Sequence, residues 1–190
     1  MKLLLTIMIS GWLLAGCVGQ TAQPTTYYQL PTIADSQQSS DGPLLIIAPI
    51  KLSDMLLHPG IVLQTDAVTL HVARQHLWAG DLPQQLQTAL QQRLQAALPQ
   101  YQVRTAGIVA DHATTLSLQI HAFQGHYQGV ALLRGQWQLR TPSGSTRSAV
   151  ISIQNPLPDD GYPALVNALA DTLDSLAADL AKSVNSLPKN

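Results

Sequence analysis

The period of the hydrophobic positions changes along this chain, and the changes mark its elements. Residues 44–50 (LLIIAPI) are apolar without a break, as in a short strand buried on both faces. Ile61-Val62-Leu63 and Val68 to Ala73 predict two more strands, the second with Val68, Leu70 and Val72 on one face. From Leu82 the period becomes four. Leu82, Leu86, Leu90, Leu94 and Leu98, with Gln and Arg93 between them, predict an amphipathic helix. Asp81 stands at its N-cap, Pro83 falls in its first turn and Pro99 stops it. Alternation then returns. Leu116, Leu118, Ile120 and Ala122 predict one strand, and Ala131, Leu133, Gly135, Trp137 and Leu139 a second. Ala149, Ile151 and Ile153 predict a third, with turns near 125–129 and 142–145. Gly135 inside its strand predicts a bulge or a close approach of another backbone. A last helix runs from about Tyr162 to Leu187. Leu165, Val166, Leu169, Leu173, Leu176, Leu180 and Val184 lie on one face, and Asp171, Asp174 and Asp179 largely off it. Asp160 or Gly161 caps its start. Tyr27 to Pro31 interrupts a polar stretch and predicts a short edge strand, followed by a loop over 32–43.

This order predicts an α+β domain: a mostly antiparallel sheet with two amphipathic helices packed on one face. Such a sheet leaves a second face. Val130, Leu132 and Val150 fall on that face of the last three strands, among Arg134, Gln136 and Ser152. A half-apolar outer face predicts a subunit or partner interface there, or else a loop folded over it.

The N-terminus lies outside this pattern. Lys2 precedes an apolar run from Leu3 to Leu14, too short to span a bilayer, which needs about 20 residues. Leu14-Ala15-Gly16-Cys17 follows and reads as a lipobox, with cleavage before Cys17 and lipid on its thiol. Cys17 is the only cysteine in the sequence, so lipidation gives it a role that an internal disulfide cannot. The expected organisation is a signal peptide over 1–16, an acylated tether over 17–26 and a single domain over 27–190. Val18 follows the acylated position. Asp there favours retention of enterobacterial lipoproteins in the inner membrane and Val does not, so the outer membrane is the expected location. After cleavage nine Lys and Arg remain against eleven Asp, and the chain contains no Glu. A weakly charged surface with no basic stripe argues against nucleic acid as a partner.

Catalytic patterns are missing from the sequence. It has no Gly-x-Ser-x-Gly, Walker loop, His-Glu-x-x-His or Cys-x-x-Cys. Asp159-Asp160 suits a helix start better than acid–base work. His58, His71, His76, His112, His121 and His126 show no ligand spacing, so no metal and no catalytic residue is expected. Trp78, Trp137 and Phe123 are expected in the core. No cofactor is expected beyond the covalent lipid on Cys17.

Several stretches together carry a resemblance. They are the lipobox, Tyr27-Tyr28-Gln29-Leu30-Pro31, Ile61-Val62-Leu63-Gln64-Thr65 and Leu77-Trp78-Ala79-Gly80-Asp81-Leu82. Phe123-Gln124-Gly125-His126-Tyr127-Gln128-Gly129, Gly135-Gln136-Trp137-Gln138-Leu139 and Asp160-Gly161-Tyr162 follow in order. The chain resembles the ABC-type transport auxiliary lipoproteins over nearly its whole mature length. Gly80-Asp81 departs from that pattern, where a Pro or Ser often stands. The resemblance implies an outer-membrane lipoprotein facing the periplasm that works with inner-membrane proteins bearing MCE domains. Their oligomers form a tunnel across the periplasm, and the system moves lipids between membranes and supports envelope integrity. The auxiliary lipoprotein would dock that tunnel at the outer membrane as a homo-oligomeric ring, without being an enzyme. The alternative is a monomeric lipoprotein that binds a lipid or assists outer-membrane assembly.

The anchor is directly testable. Cys17→Ser should move the protein from the membrane fraction to the soluble fraction while leaving its thermal midpoint unchanged. Retention in the membrane after the substitution would contradict the lipobox.

Overall fold

The computed structural model describes residues 24–33, 42–105 and 112–187. Cys17, the leader and most of the tether lie outside these residues, as does most of the loop expected over 32–43. In chain order the described elements are β1 (Thr26–Tyr28), β2 (Leu44–Ile47), β3 (Lys51–Leu52), a 3-10 turn (Asp54–Leu57), β4 (Gly60–Gln64) and β5 (Leu70–Trp78). Then come α1 (Leu82–Ala97), β6 (Gln102–Thr105), β7 (Thr114–His126), β8 (Val130–Arg140), β9 (Thr146–Pro156) and α2 (Tyr162–Asn185).

The α+β class holds, with a sheet of mixed direction. β7–β8 and β8–β9 are the expected antiparallel meander, each over eleven residue pairs, and β4–β5 is also antiparallel. Five shorter pairings are parallel: β1 with β5, β2 with β6, and β2, β3 and β4 each with β7. Alternation reports which side of a strand is buried and says nothing of its direction. The parallel pairings follow from connections longer than a hairpin turn.

β7 is the common member. Its 13 residues carry β8 along one edge. Along the other edge lie β2 at Thr114–Leu116, β3 at Gln119–Ile120 and β4 at Gly125–His126. Its register against β8 slips between Ile120 and Ala122. Leu116, Leu118 and Ile120 face the core before the slip, and Phe123 takes that face after it. Ala122 was expected there, and the bulge displaces it. Gly135 sits opposite Ile120, where an added Cβ would come within 2.2 Å of the Gln119 carbonyl oxygen. Both features anticipated at Gly135 are present.

β5 also departs from expectation. It begins at Leu70, Val68 is 92% exposed, and Ala73 and Trp78 supply its buried side chains. Its pairing with β4 slips between Gly60↔Leu77 and Val62↔Val72, which breaks the period of two that Val68, Leu70 and Val72 suggested.

Both leucine stripes are buried as expected. The helices pack on each other, α2 also along β7, β8 and β9, and α1 on β6 and the 3-10 turn. One contiguous core joins them to the sheet, with Trp78 and Phe123 stacked 6.0 Å apart between ring centroids. Asp81 is the N-cap residue of α1, yet its side chain makes no capping bond.

The polar side of α1 does more than face solvent. Gln87, Gln91 and Gln95 recur at four-residue spacing. Gln87 Nε2 donates to the Ile47 carbonyl (3.2 Å) and Gln91 Nε2 to the Val103 carbonyl (3.1 Å). Gln95 Nε2 donates to the Tyr101 carbonyl (3.0 Å), and its Oε1 accepts the Val103 N–H (2.9 Å). A long side-chain amide offers a donor and an acceptor together without burying charge. The glutamines thereby cover the outer edge of β6, which would otherwise present open backbone groups. Arg93, expected among the solvent-facing residues, is 5% exposed. Its Nε lies 2.6 Å from Asp174 Oδ1 on α2, and its Nη1 donates to the carbonyls of Ala89 and Pro31. One cation thus ties α1, α2 and the segment after β1.

Gln95→Ala removes both partners from the β6 edge and should lower the unfolding free energy by about 1–3 kcal/mol. Gln95→Glu should cost more than Gln95→Ala, because it removes the donor and buries an anion. Urea unfolding midpoints of the three proteins check the order.

Candidate functional site

The parallel pair β4–β7 ends at Leu63↔Gly125 and Gln64↔His126. Beyond it β4 runs into the 65–69 turn, β7 into the turn at Tyr127, and the first turn of α2 crosses beside both. These ends enclose a cleft of about 380 Å³. Leu63, Leu157, Tyr162 and Leu165 form its apolar lining, and Gln64, Thr65 and His126 contribute the polar groups. Gly125 opens the floor. A Cβ there would lie 2.7 Å from Leu63 Cδ2 and 3.0 Å from Leu165 Cδ2.

Tyr127 and Val68 are among the exposed side chains at this end. Tyr127 is 51% exposed and its ring stacks on His126 with centroids 4.3 Å apart. Val68 projects from the 65–69 turn. Asp66 shapes that turn by accepting the N–H groups of Val68 (2.9 Å) and Thr69 (2.8 Å). Chiefly the Val68 N–H, with Thr69 adding, holds the Asp66 carboxyl below its usual value.

Tyr162 carries the cleft over to the N-terminal strand. Its ring stacks on His76 at 3.7 Å and 13°, and the Tyr28 hydroxyl lies 2.9 Å from His76 Nδ1. Burial first, and Tyr28 second, push the Tyr162 phenol above its usual value. β1, β5 and α2 are therefore joined by three rings beside the entry of the residues that precede Thr26. This cluster leaves no signature in the sequence, because Tyr28, His76 and Tyr162 lie on three segments with no shared spacing. Tyr28 and Tyr162 do recur among the stretches that carry the family resemblance.

The residues expected at an interface are separated by the structure. Val130, Leu132 and Val150 lie on one side of the β8–β9 ladder, with partners Pro156, Gln154 and Gln136. Val150 is 80% exposed and Val130 half-buried, but Leu132 is 1% exposed within the chain itself. The three do not form one open patch. Lipidation at Cys17 falls outside the described residues. Trp78, Trp137 and Phe123 are buried, as expected for core aromatics. Asp159 accepts the Asp160 N–H at 2.8 Å, and Gly161 is the N-cap residue of α2. Among the described residues no group of three His, Cys, Asp or Glu side chains could hold a metal ion, and no helix is long and apolar enough to cross a membrane.

The sequence pattern of the family described as the ABC-type transport auxiliary lipoprotein component matches residues 28–181. The chain belongs to this family. It is 30% identical over 191 residues to the intermembrane transport lipoprotein PqiC of Escherichia coli (strain K12), covering 99% of this chain and 100% of that protein. Among solved structures, the crystal structure of an uncharacterized protein superposes with a TM-score of 0.77 at 28% identity, covering 85% of this chain and 99% of that one. The crystal structure of a protein from Xanthomonas campestris superposes with a TM-score of 0.65 at 14% identity, covering 84% and 94%, and shares the fold. The family is one of transport auxiliary lipoproteins rather than of enzymes.

The Asp66 bonds predict a pH effect at the 65–69 turn. With the folded-state value lowered from 3.8, the turn is supported above that value and loses its support as the pH falls through the lowered one. The Val68 and Thr69 amide resonances should move together with the Asp66 titration. Asp66→Asn keeps a side-chain acceptor and should remove that dependence. A turn whose amides titrate the same in Asp66→Asn would contradict it.

Proposed function

We propose that this chain is a non-enzymatic outer-membrane lipoprotein of an MCE-type intermembrane lipid-transport system. It docks the periplasmic tunnel of an inner-membrane, PqiB-like MCE-domain protein at the outer membrane and supports envelope integrity. The observation that carries this reading is the end-to-end match to an intermembrane transport lipoprotein. A signal peptide over 1–16 and an acylated tether from Cys17 to residue 26 hang one folded unit, 27–190, from the membrane. The nine residues from Val18 to Thr26 reach at most about 30 Å, so the folded unit stays close to the lipid.

A chain of this size docks a tunnel by repeating around its axis, and a homo-oligomeric ring matches a partner built from identical subunits. Val150, exposed on β9, and Val130 at the start of β8 are the side chains assigned to its contacts, whereas Leu132 is buried within the chain. The cleft beside β4 and β7 favours a second reading, in which the chain binds a lipid as a monomer.

Crosslinking in intact cells tests the proposal. A photoreactive residue in place of Val150 should recover either a second copy of the chain or an MCE-domain protein. An abundant anchored protein that recovers neither would overturn the docking reading.

A further inference from the structure

We propose that the cleft between the ends of β4 and β7 and the first turn of α2 holds one fatty acyl chain of a membrane phospholipid. The inference rests on the transport reading above and deepens it, by naming where on this chain the lipid is received.

The lining fits a hydrocarbon. Leu63, Leu157 and Leu165 supply methyl groups and Tyr162 a ring face, whereas polar atoms come from Gln64, Thr65 and His126. An acyl chain needs no hydrogen-bond partner, so it can lie against the leucines and the Tyr162 ring without one. The volume sets the size. At about 380 Å³ the cleft lies at the small end of ligand sites, which run from roughly 300 to 1,000 Å³. That suits a single chain and not a whole two-chain lipid. Gly125 keeps the floor low, since a side chain there would displace the ends of Leu63 and Leu165, which line the cleft.

Charge decides which acyl compound fits. No Lys or Arg lines the cleft, and Asp66 stands in the adjoining turn. A free fatty acid would bring a carboxylate to a mouth with no cation to meet it. An esterified chain has no such charge at that end, and its head group stays in the membrane. Val68, Leu70 and Tyr127 are exposed apolar and aromatic side chains at this end, as suits contact with a lipid interface. The tether reaches the same region. Thr26 pairs with His76, and the His76 ring lies on the Tyr162 that lines the cleft.

The test uses the full lipidated chain in vesicles of phosphatidylethanolamine and phosphatidylglycerol. A trace of phosphatidylethanolamine carries a diazirine on its acyl chain. After irradiation, peptides containing Leu63 and those spanning Leu157 to Leu165 should carry the label. Gly125→Ala should lower the yield about tenfold or more, as expected when methyl groups fill an apolar site. Thr65→Trp should do the same from an exposed position at the mouth, without burdening the core. Free palmitate added to the vesicles should leave the yield unchanged, and a fall to background would overturn the choice of an esterified chain. Labelling confined to other peptides would overturn the inference. So would yields unchanged in both variants, or cleft peptides labelled only by a probe borne on the Cys17 acyl group. Tunnel-partner recovery in cells, measured in parallel on the same variants, separates the two ideas. Recovery without cleft labelling defeats the acyl site alone, and failed recovery by the wild-type chain defeats docking.

Discussion

Every described strand but β1 is hydrogen-bonded, directly or at one remove, to β7, and β1 follows through β5 and β4. One edge of that strand is filled by β8. The other is divided among β2, β3 and β4, laid end to end in parallel. A strand shared this way cannot shift register without breaking four pairings at once. The bulge at His121 is fixed from outside the meander as well, because Ser53 donates its backbone N–H to the Ile120 carbonyl and its hydroxyl to the His121 carbonyl. The bulge turns the C-terminal half of β7 over. Phe123 then reaches the core beside Trp78, and Gly125 reaches the floor of the cleft. The strand that organises the core therefore also positions the site.

Polarity inside the domain is mostly neutral. In a chain without Glu, the amides of α1 satisfy the backbone at the edge of β6 and at the end of β2, where carboxylates or ammonium groups would carry charge into low dielectric. Arg93 is the exception, and it meets the conditions under which a buried cation is tolerated. It has a carboxylate partner that remains half-exposed, and two carbonyls take further N–H groups. The outcome is a rigid unit with few charges near its apolar cleft. Such a unit can rest against lipid and against a neighbouring protein without strong electrostatic repulsion from either.

Elements whose burial follows a strict period were legible in the sequence. Both leucine stripes, the three strands of the meander and the unbroken apolar run of β2 lie where their patterns put them. Departures have physical causes. Ala122 and Val68 were misplaced because bulges reset the period, and no composition marks the position of a bulge. Arg93 looked solvent-facing because its partner Asp174 lies on a helix distant in sequence. The parallel pairings were invisible because direction is decided by connections. Of the site, the glycine and aromatic residues at 125–127 and 161–162 were visible only as fragments of a family pattern. Their meeting at one cleft depends on the β4–β7 pairing, which no local signal reveals.

On the proposed reading, this architecture works through placement: a lipid anchor, a short tether and a domain whose apolar cleft stays near the surface that holds it. That placement depends on β7 acting as one undivided strand. Hydrogen exchange along β7 in the lipidated protein tests this most directly. The amides from Leu116 to Gln124 should exchange slowest in the chain and open together with those of β4 and β8. Exchange in which Phe123 to Gly125 open with β4 and β5, independently of Leu116 to Ile120, would divide the strand at its bulge and contradict the account.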